Sequence, residues 1–168
     1  AQPDGTFSVE FDPVPVRAKK GSGWVPVDTD LQAMSSGKVV PKAAAADIVF
    51  SGGGPRDPLA SFTKDGKTYS VGSPWALPKP TLAGATATYQ NVMPGTDLVV
   101  QATPDGFSEN VVVKSRDAAQ NTDLSSIRFP VSVDGVSAHD THSGGAAFVD
   151  GQGRPVFTTG TALMYDSS

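Results

Sequence analysis

The chain has 168 residues, a formal net charge of −4 and no cysteine, which gives room for one well-formed core and excludes disulfides, a thiolate nucleophile and cysteine-based zinc sites. Lysine and arginine are scattered singly apart from Lys19-Lys20, so no basic stripe is laid out to neutralise a row of phosphates. No apolar run approaches the roughly 18 residues of a membrane-spanning helix, and 18 glycines, 14 prolines and only two glutamates, Glu10 and Glu109, leave little material for long helices.

Residues 6–11 alternate, with Phe7, Val9 and Phe11 on one side and Ser8 and Glu10 on the other, the period of a half-buried strand. Residues 23–28 carry Trp24, Val25 and Val27, and Pro26 places them at an edge because proline donates nothing to a ladder. Ser35-Ser36-Gly37-Lys38 makes a polar turn. Residues 41–46 hold four alanines but run straight into Ile48-Val49-Phe50, and are read as extended. Residues 51–58 form a glycine-rich loop, and residues 59–63 and 68–71 flank Lys64-Asp65-Gly66-Lys67 as a hairpin.

Residues 72–84 contain three prolines and Trp75 and are expected as a crossing loop or an irregular edge instead of a regular ladder, after which residues 85–89 resume the sheet. Met93-Pro94-Gly95-Thr96 has proline and glycine where a type II turn wants them. Residues 98–103 and 107–114 are the strongest expected hairpin, joined through Pro104-Asp105-Gly106. Residues 115–121 are the one short helix, with Ser115 as its cap and Asp117 near its positive end. In residues 127–133, Ile127, Phe129, Val131 and Val133 alternate against Arg128, Pro130 and Ser132, which predicts one core face. Asp134-Gly135 is read as a hairpin turn into residues 136–138, residues 150–153 as the link between 146–149 and 155–158, and Leu163-Met164-Tyr165 as a final strand.

Five Asp-Gly pairs, at positions 4, 65, 105, 134 and 150, point to tight reversals, since glycine takes positive φ freely and aspartate tolerates it. These elements predict an all-β fold: an antiparallel β-sandwich of about ten to twelve short strands with at most one short helix (115–121). A single domain over residues 1–168 is expected, with residues 1–20 as a lead-in.

At Tyr89-Gln90-Asn91-Val92-Met93-Pro94-Gly95-Thr96-Asp97-Leu98-Val99-Val100, followed by Gly106-Phe107 and Val111-Val112-Val113-Lys114, the chain resembles a β-rich module found near the amino terminus of large secreted actinobacterial proteins with DNRLRE, LamG-like or Rhs repeats, some of them polymorphic toxins. The elements around Trp24-Val25-Pro26-Val27-Asp28, Pro41-Lys42-Ala43, Ala76-Leu77-Pro78, Gly153-Arg154-Pro155-Val156-Phe157 and Leu163-Met164-Tyr165-Asp166 are similar to that pattern in order, over most of residues 20–168. Tyr165 and the Pro74-Trp75 order depart from it. The resemblance implies a non-catalytic extracellular module, secreted or at the cell surface, that precedes other domains, and it supplies no catalytic residues.

His139, Asp140 and His142 are the only grouping of metal-ligand types, although their stretch leaves a strand for a Ser-Gly-Gly loop instead of holding one helical face. Asp28 with Asp30, and Asp117 with Asn121 and Asp123, are the candidate ligands of a structural calcium, set against their plainer role as turn formers; no other cofactor is expected. No Gly-x-Ser-x-Gly elbow occurs, and Asp97 with Glu109, on the expected central hairpin, is a carboxylate pair to weigh for glycoside hydrolysis, set against the plainer role of solvent-facing polar residues on alternating strands. Trp75, Tyr69 and Trp24 are the candidate ligand-binding residues, because indole and phenol rings offer an apolar face with a polar tip. The expected function is a non-catalytic structural or adhesive module contacting neighbouring domains or another chain. A carbohydrate-binding module is the alternative, and a hydrolase with a dispersed site the next. Nucleic acid and membrane insertion are not expected. The proline-bearing strands at 23–28 and 127–133 are expected at edges, either protected or open to a strand from another chain.

Overall fold

The computed structural model describes residues 14–54, 58–141 and 144–165; the strand expected at residues 6–11 and the Asp4-Gly5 pair lie outside them. The fold is all-β and antiparallel. β1 (Arg17–Lys20) and β2 (Gly23–Pro26) form a ribbon of their own, and β3 (Asp28–Ala33), β4 (Val39–Ala43), β5 (Asp47–Phe50), β6 (Ala60–Lys64) and β7 (Lys67–Val71) run as a meander. β8 (Thr81–Ala83), β9 (Thr86–Met93), β10 (Thr96–Thr103) and β11 (Gly106–Val113) make a second meander. The one-turn helix α1 (Arg116–Ala119) and a 3-10 turn (Thr122–Ser125) follow, β12 (Val131–Asp134) returns to pair with β7, and β13 (Ser137–Asp140), β14 (Ala146–Val149) and β15 (Pro155–Thr158) form a last meander.

The described residues thus hold fifteen strands in sheets of two, six, four and three, against the ten to twelve of a single sandwich expected from sequence. β1, β3 and β8 account for the excess. Arg17–Lys20 has one buried residue, Ala18, Asp28–Ala33 has one, Leu31, and Thr81–Ala83 has none. Such strands show no apolar alternation and are held by their neighbours' ladders instead.

Cross-strand register explains the core. Directly opposed residues share a face, and the pairs Val39↔Phe50, Ile48↔Phe62, Phe50↔Ala60, Phe62↔Tyr69 and Ala60↔Val71 put one apolar face on the six-stranded sheet. Leu98, Val100, Ala102, Ala87 and Tyr89 form the facing surface of the four-stranded sheet, and Phe148 with Phe157 that of the three-stranded sheet; all belong to one buried cluster. Both smaller sheets therefore pack on the same side of the largest. Phe107 meets Phe50 edge-on at 5.9 Å and Phe157 meets Phe62 edge-on at 5.3 Å, geometries worth about 0.5–1.5 kcal/mol beyond area burial. Tyr89 is wholly buried and donates its hydroxyl to the Ser51 carbonyl at 2.7 Å, tying the four-stranded sheet to the loop after β5.

The turns divide. Asp65 and Gly66 both have positive φ in the β6–β7 hairpin, and Gly95 at φ +69° completes the expected Pro94-Gly95 turn. Gly106 lacks positive φ because Pro104 and Asp105 occupy the turn and Thr103 pairs with Gly106. In the β14–β15 loop the positive φ falls on Gly153, not Gly151. Asp134-Gly135 is not a hairpin turn: it carries the chain from the six-stranded sheet, where β12 pairs with β7, to the three-stranded sheet, where β13 pairs with β14.

Three further expectations are corrected. The helical segment is shorter than 115–121, ending its α-turn at Ala119, with Ser115 Oγ accepting from the Ala118 N–H at 3.1 Å as the expected cap. Of the 127–133 run only 131–133 are strand, within β12, and all four β12 residues are exposed because β12 is the outermost strand of the six-stranded sheet. Leu163, Met164 and Tyr165 pair with no strand among the described residues and are 71%, 98% and 81% exposed.

Candidate binding surfaces

The three aromatic candidates sit in different surroundings. Tyr69 faces inward on β7 between the two smaller sheets, its ring 5.0 Å from Phe148, 6.3 Å from Phe107 and 6.4 Å from Phe157. Burial, and secondarily the Glu109 carboxylate, push its phenol above the ordinary value. Trp75 is half-buried, edge-on to Phe129 at 5.9 Å. Trp24 alone offers a free ring: it stands on β2, directly across from Lys19, and is 64% exposed. These rings do not converge on one site.

Among the polar candidates, His139 and Asp140 lie next to each other on β13, so the strand pleat sends them to opposite faces; His142 lies outside the described residues. Among the described residues no three of His, Asp or Glu gather as a metal-binding group. Asp28 Oδ1 accepts from the Asp30 N–H at 3.1 Å, and Asp30 Oδ2 takes the Lys42 ammonium at 3.1 Å. Asn121 Oδ1 accepts from the Asp123 N–H at 3.0 Å. Asp117 stands in the first turn of α1. These contacts are those of turn and cap formers.

Asp97 and Glu109 fall on opposite faces of the four-stranded sheet. Glu109 opposes the buried Val100, and Asp97 opposes the exposed Val112, so the two carboxyls cannot flank one bond. Asp97 instead accepts the Asn91 N–H at 2.7 Å and the Lys114 ammonium at 2.8 Å, while Lys114 also donates to Asn91 Oδ1 at 2.8 Å. The Lys114 contact holds the Asp97 carboxyl below the usual carboxylate range. Asn91 has φ +52°, and these bonds stabilise that left-handed residue beside the β9–β10 bulge. A comparable clamp closes the β14–β15 loop, where the nearly buried Asp150 carboxylate accepts the Gln152 and Arg154 amides and both Nε and Nη2 of Arg154.

Two shallow, solvent-open depressions are present. One, of about 440 Å³, lies between the ribbon and β3–β4 and is bordered by Lys20, Asp28, Gln32 and Lys42. The other, of about 480 Å³, lies where α1 meets the Pro94-Gly95 turn.

The surface that sequence reasoning misjudged is the outer edge of β12. Gly72 N–H donates to the Pro130 carbonyl at 2.7 Å, which makes Gly72–Pro130 a hydrogen-bonded pair and, by alternation, Ser70–Ser132 and Thr68–Asp134 as well. Val131 and Val133 therefore aim their backbone N–H and C=O away from β7. Among the described residues no strand pairs with that side, and the valine side chains are 50% and 37% exposed. Pro130 signalled an edge, but alternation alone misassigned the valines to the core.

Comparison of the chain with protein-family models, with curated proteins and with solved structures found no match.

Proposed function

We propose that this domain is a non-catalytic structural or adhesive module of a larger secreted or cell-surface bacterial protein, and that it engages a neighbouring domain or a partner chain by accepting a strand along β12. The open edge of β12 carries this reading: two outward N–H groups, two outward carbonyls and two exposed valines give an incoming extended segment both a ladder and an apolar stripe. Support also comes from the residues that carry the family resemblance. Asn91, Gly95, Asp97 and Lys114 hold backbone geometry at the β9–β10 turn and Tyr89 ties the four-stranded sheet to the Ser51 carbonyl, the work expected of residues in a structural module.

Hydrogen exchange compared between this domain alone and the longer chain with its neighbours tests the proposal. The Val131 and Val133 amides are expected to exchange at least tenfold more slowly in the longer chain. Val133→Pro, which removes an outward donor without touching a β7 bond, is expected to abolish the protection at Val131. Equal exchange rates in both contexts would refute docking of a neighbouring domain at this edge.

A further inference from the structure

The two faces of the β1–β2 ribbon have different chemistry. The register Arg17↔Pro26, Ala18↔Val25, Lys19↔Trp24 and Lys20↔Gly23 places Ala18, Val25 and Lys20 on one face, because neighbours along a strand alternate. That face turns to the protein: Ala18 is 1% exposed, and the Lys20 ammonium reaches the Lys42 carbonyl at 3.4 Å. Arg17, Lys19, Trp24 and Pro26 make up the other face, and all four are exposed.

This outward face is positive in a chain whose net charge is −4. Residues 17–26 include no acid, and among the described residues neither Arg17 nor Lys19 is paired with a carboxylate. Lys19 stands directly across from Trp24, which puts their Cβ atoms about 4.5–5.5 Å apart, and Arg17 occupies the diagonal position at about 7–8 Å. One exposed indole thus lies within reach of two cations that no carboxylate among the described residues pairs with.

We propose that this face binds an acidic polysaccharide: one pyranose ring lies flat on the Trp24 indole, its carboxylate meets Lys19, and Arg17 takes the neighbouring acidic group through its planar fork. Charge complementarity selects an anion, and the single wide ring selects a ligand with a broad apolar face. A lipid surface is recognised by clusters of about four to eight basic residues, and a nucleic-acid strand by a groove of cations tracking its backbone; two cations around one indole fit neither. Each sugar contact is weak and screened by salt, and the polymer gains affinity by presenting many equivalent units. The site is independent of the edge-docking proposal, since the ribbon lies by β4 near one end of the six-stranded sheet and β12 closes the other.

The two tryptophans give two indole N–H signals in a nitrogen-15 spectrum, and Trp24→Phe, at an exposed position, assigns them. Titration with polygalacturonate is expected to move the Trp24 signal and leave that of Trp75 in place. Methyl-esterified polygalacturonate, which keeps the rings and loses the charge, is expected to bind at least tenfold more weakly, as is the Arg17→Ala, Lys19→Ala double variant with the unmodified polymer. A thermal melt of that variant matching the parent keeps the comparison valid, as both side chains are exposed. An unmoved Trp24 signal, equal affinity for the esterified polymer, or binding of phosphatidylglycerol vesicles or oligothymidylate as tight as that of polygalacturonate would each overturn the proposal.

Discussion

Thr96 opens β10 with no exposed surface, and its Oγ1 has no hydrogen-bond partner among the described residues. An orphaned buried hydroxyl costs about 1–3 kcal/mol, whereas valine has the same shape without the polar atom. Thr96→Val is expected to raise stability by about 1 kcal/mol, seen as a higher urea midpoint at unchanged slope; a lower midpoint would show that the hydroxyl is satisfied. Tyr89 shows the opposite arrangement, a buried hydroxyl matched to the Ser51 carbonyl. Nothing in the pattern around Thr96 or Tyr89 distinguishes them, since both lie in alternating strands and whether a buried hydroxyl finds an acceptor depends on residues elsewhere in the chain. Trp24 and Tyr69 were likewise equivalent candidates on chemical grounds. Only packing made one a solvent-facing ring and the other part of a junction between sheets.

At the scale of elements, the β9–β10 hairpin and α1 depend on each other. Gly95 has φ +69°, and a Cβ placed there would lie 2.6 Å from the Ala118 Cβ. Gly95→Ala therefore adds backbone strain of about 1–2 kcal/mol to a steric overlap with the helix. The variant is expected to lose at least about 2 kcal/mol, with part of the loss restored in Gly95→Ala, Ala118→Gly because only the overlap is relieved. Equal stability of the single and double variants would show that the helix yields freely. The Pro94-Gly95 turn, the Ser115 cap and the hairpin joined through Pro104-Asp105-Gly106 were legible because each depends on a few adjacent residues. The Asp134-Gly135 reversal was misread as a hairpin because a turn specifies a change of direction and leaves open which strand the chain pairs with next.

For the whole molecule, the four-stranded sheet meets the largest sheet with one acidic residue on its inward side. Glu109 keeps access to solvent at the edge of β11, opposite the buried Val100, and the surrounding protein raises its carboxyl above the ordinary value. A raised folded-state value means that the native fold holds this proton more tightly than the unfolded chain does, so stability is lost as pH rises from the ordinary carboxylate value through the raised one. Asp97 and Asp150, with carboxyls held low chiefly by Lys114 and by the Arg154 amide respectively, act in the other direction, contributing above the ordinary value and losing that contribution on acidification. The difference between parent and Glu109→Gln isolates the glutamate. In urea titrations between about pH 4 and pH 8, the variant is expected to gain stability relative to the parent as pH rises, with no gain at the acidic end. A constant difference across the range would mean that Glu109 titrates normally. An inward charge on an edge strand also discourages unwanted pairing of that edge, in contrast to β12, whose inward positions are the valines 131 and 133.

Local patterning alone determined that the fold is all-β and antiparallel, where its clearest hairpin lies, and that the α-helical turn starts after Ser115, because turn chemistry and period-2 alternation act over a few residues. Tertiary structure decided how many sheets the described strands form, that Val131 and Val133 are surface and not core, and that Trp24, of the three candidate rings, is the one left open. Each of those outcomes depends on what covers a face or an edge, and the covering residues lie tens of positions away in the chain.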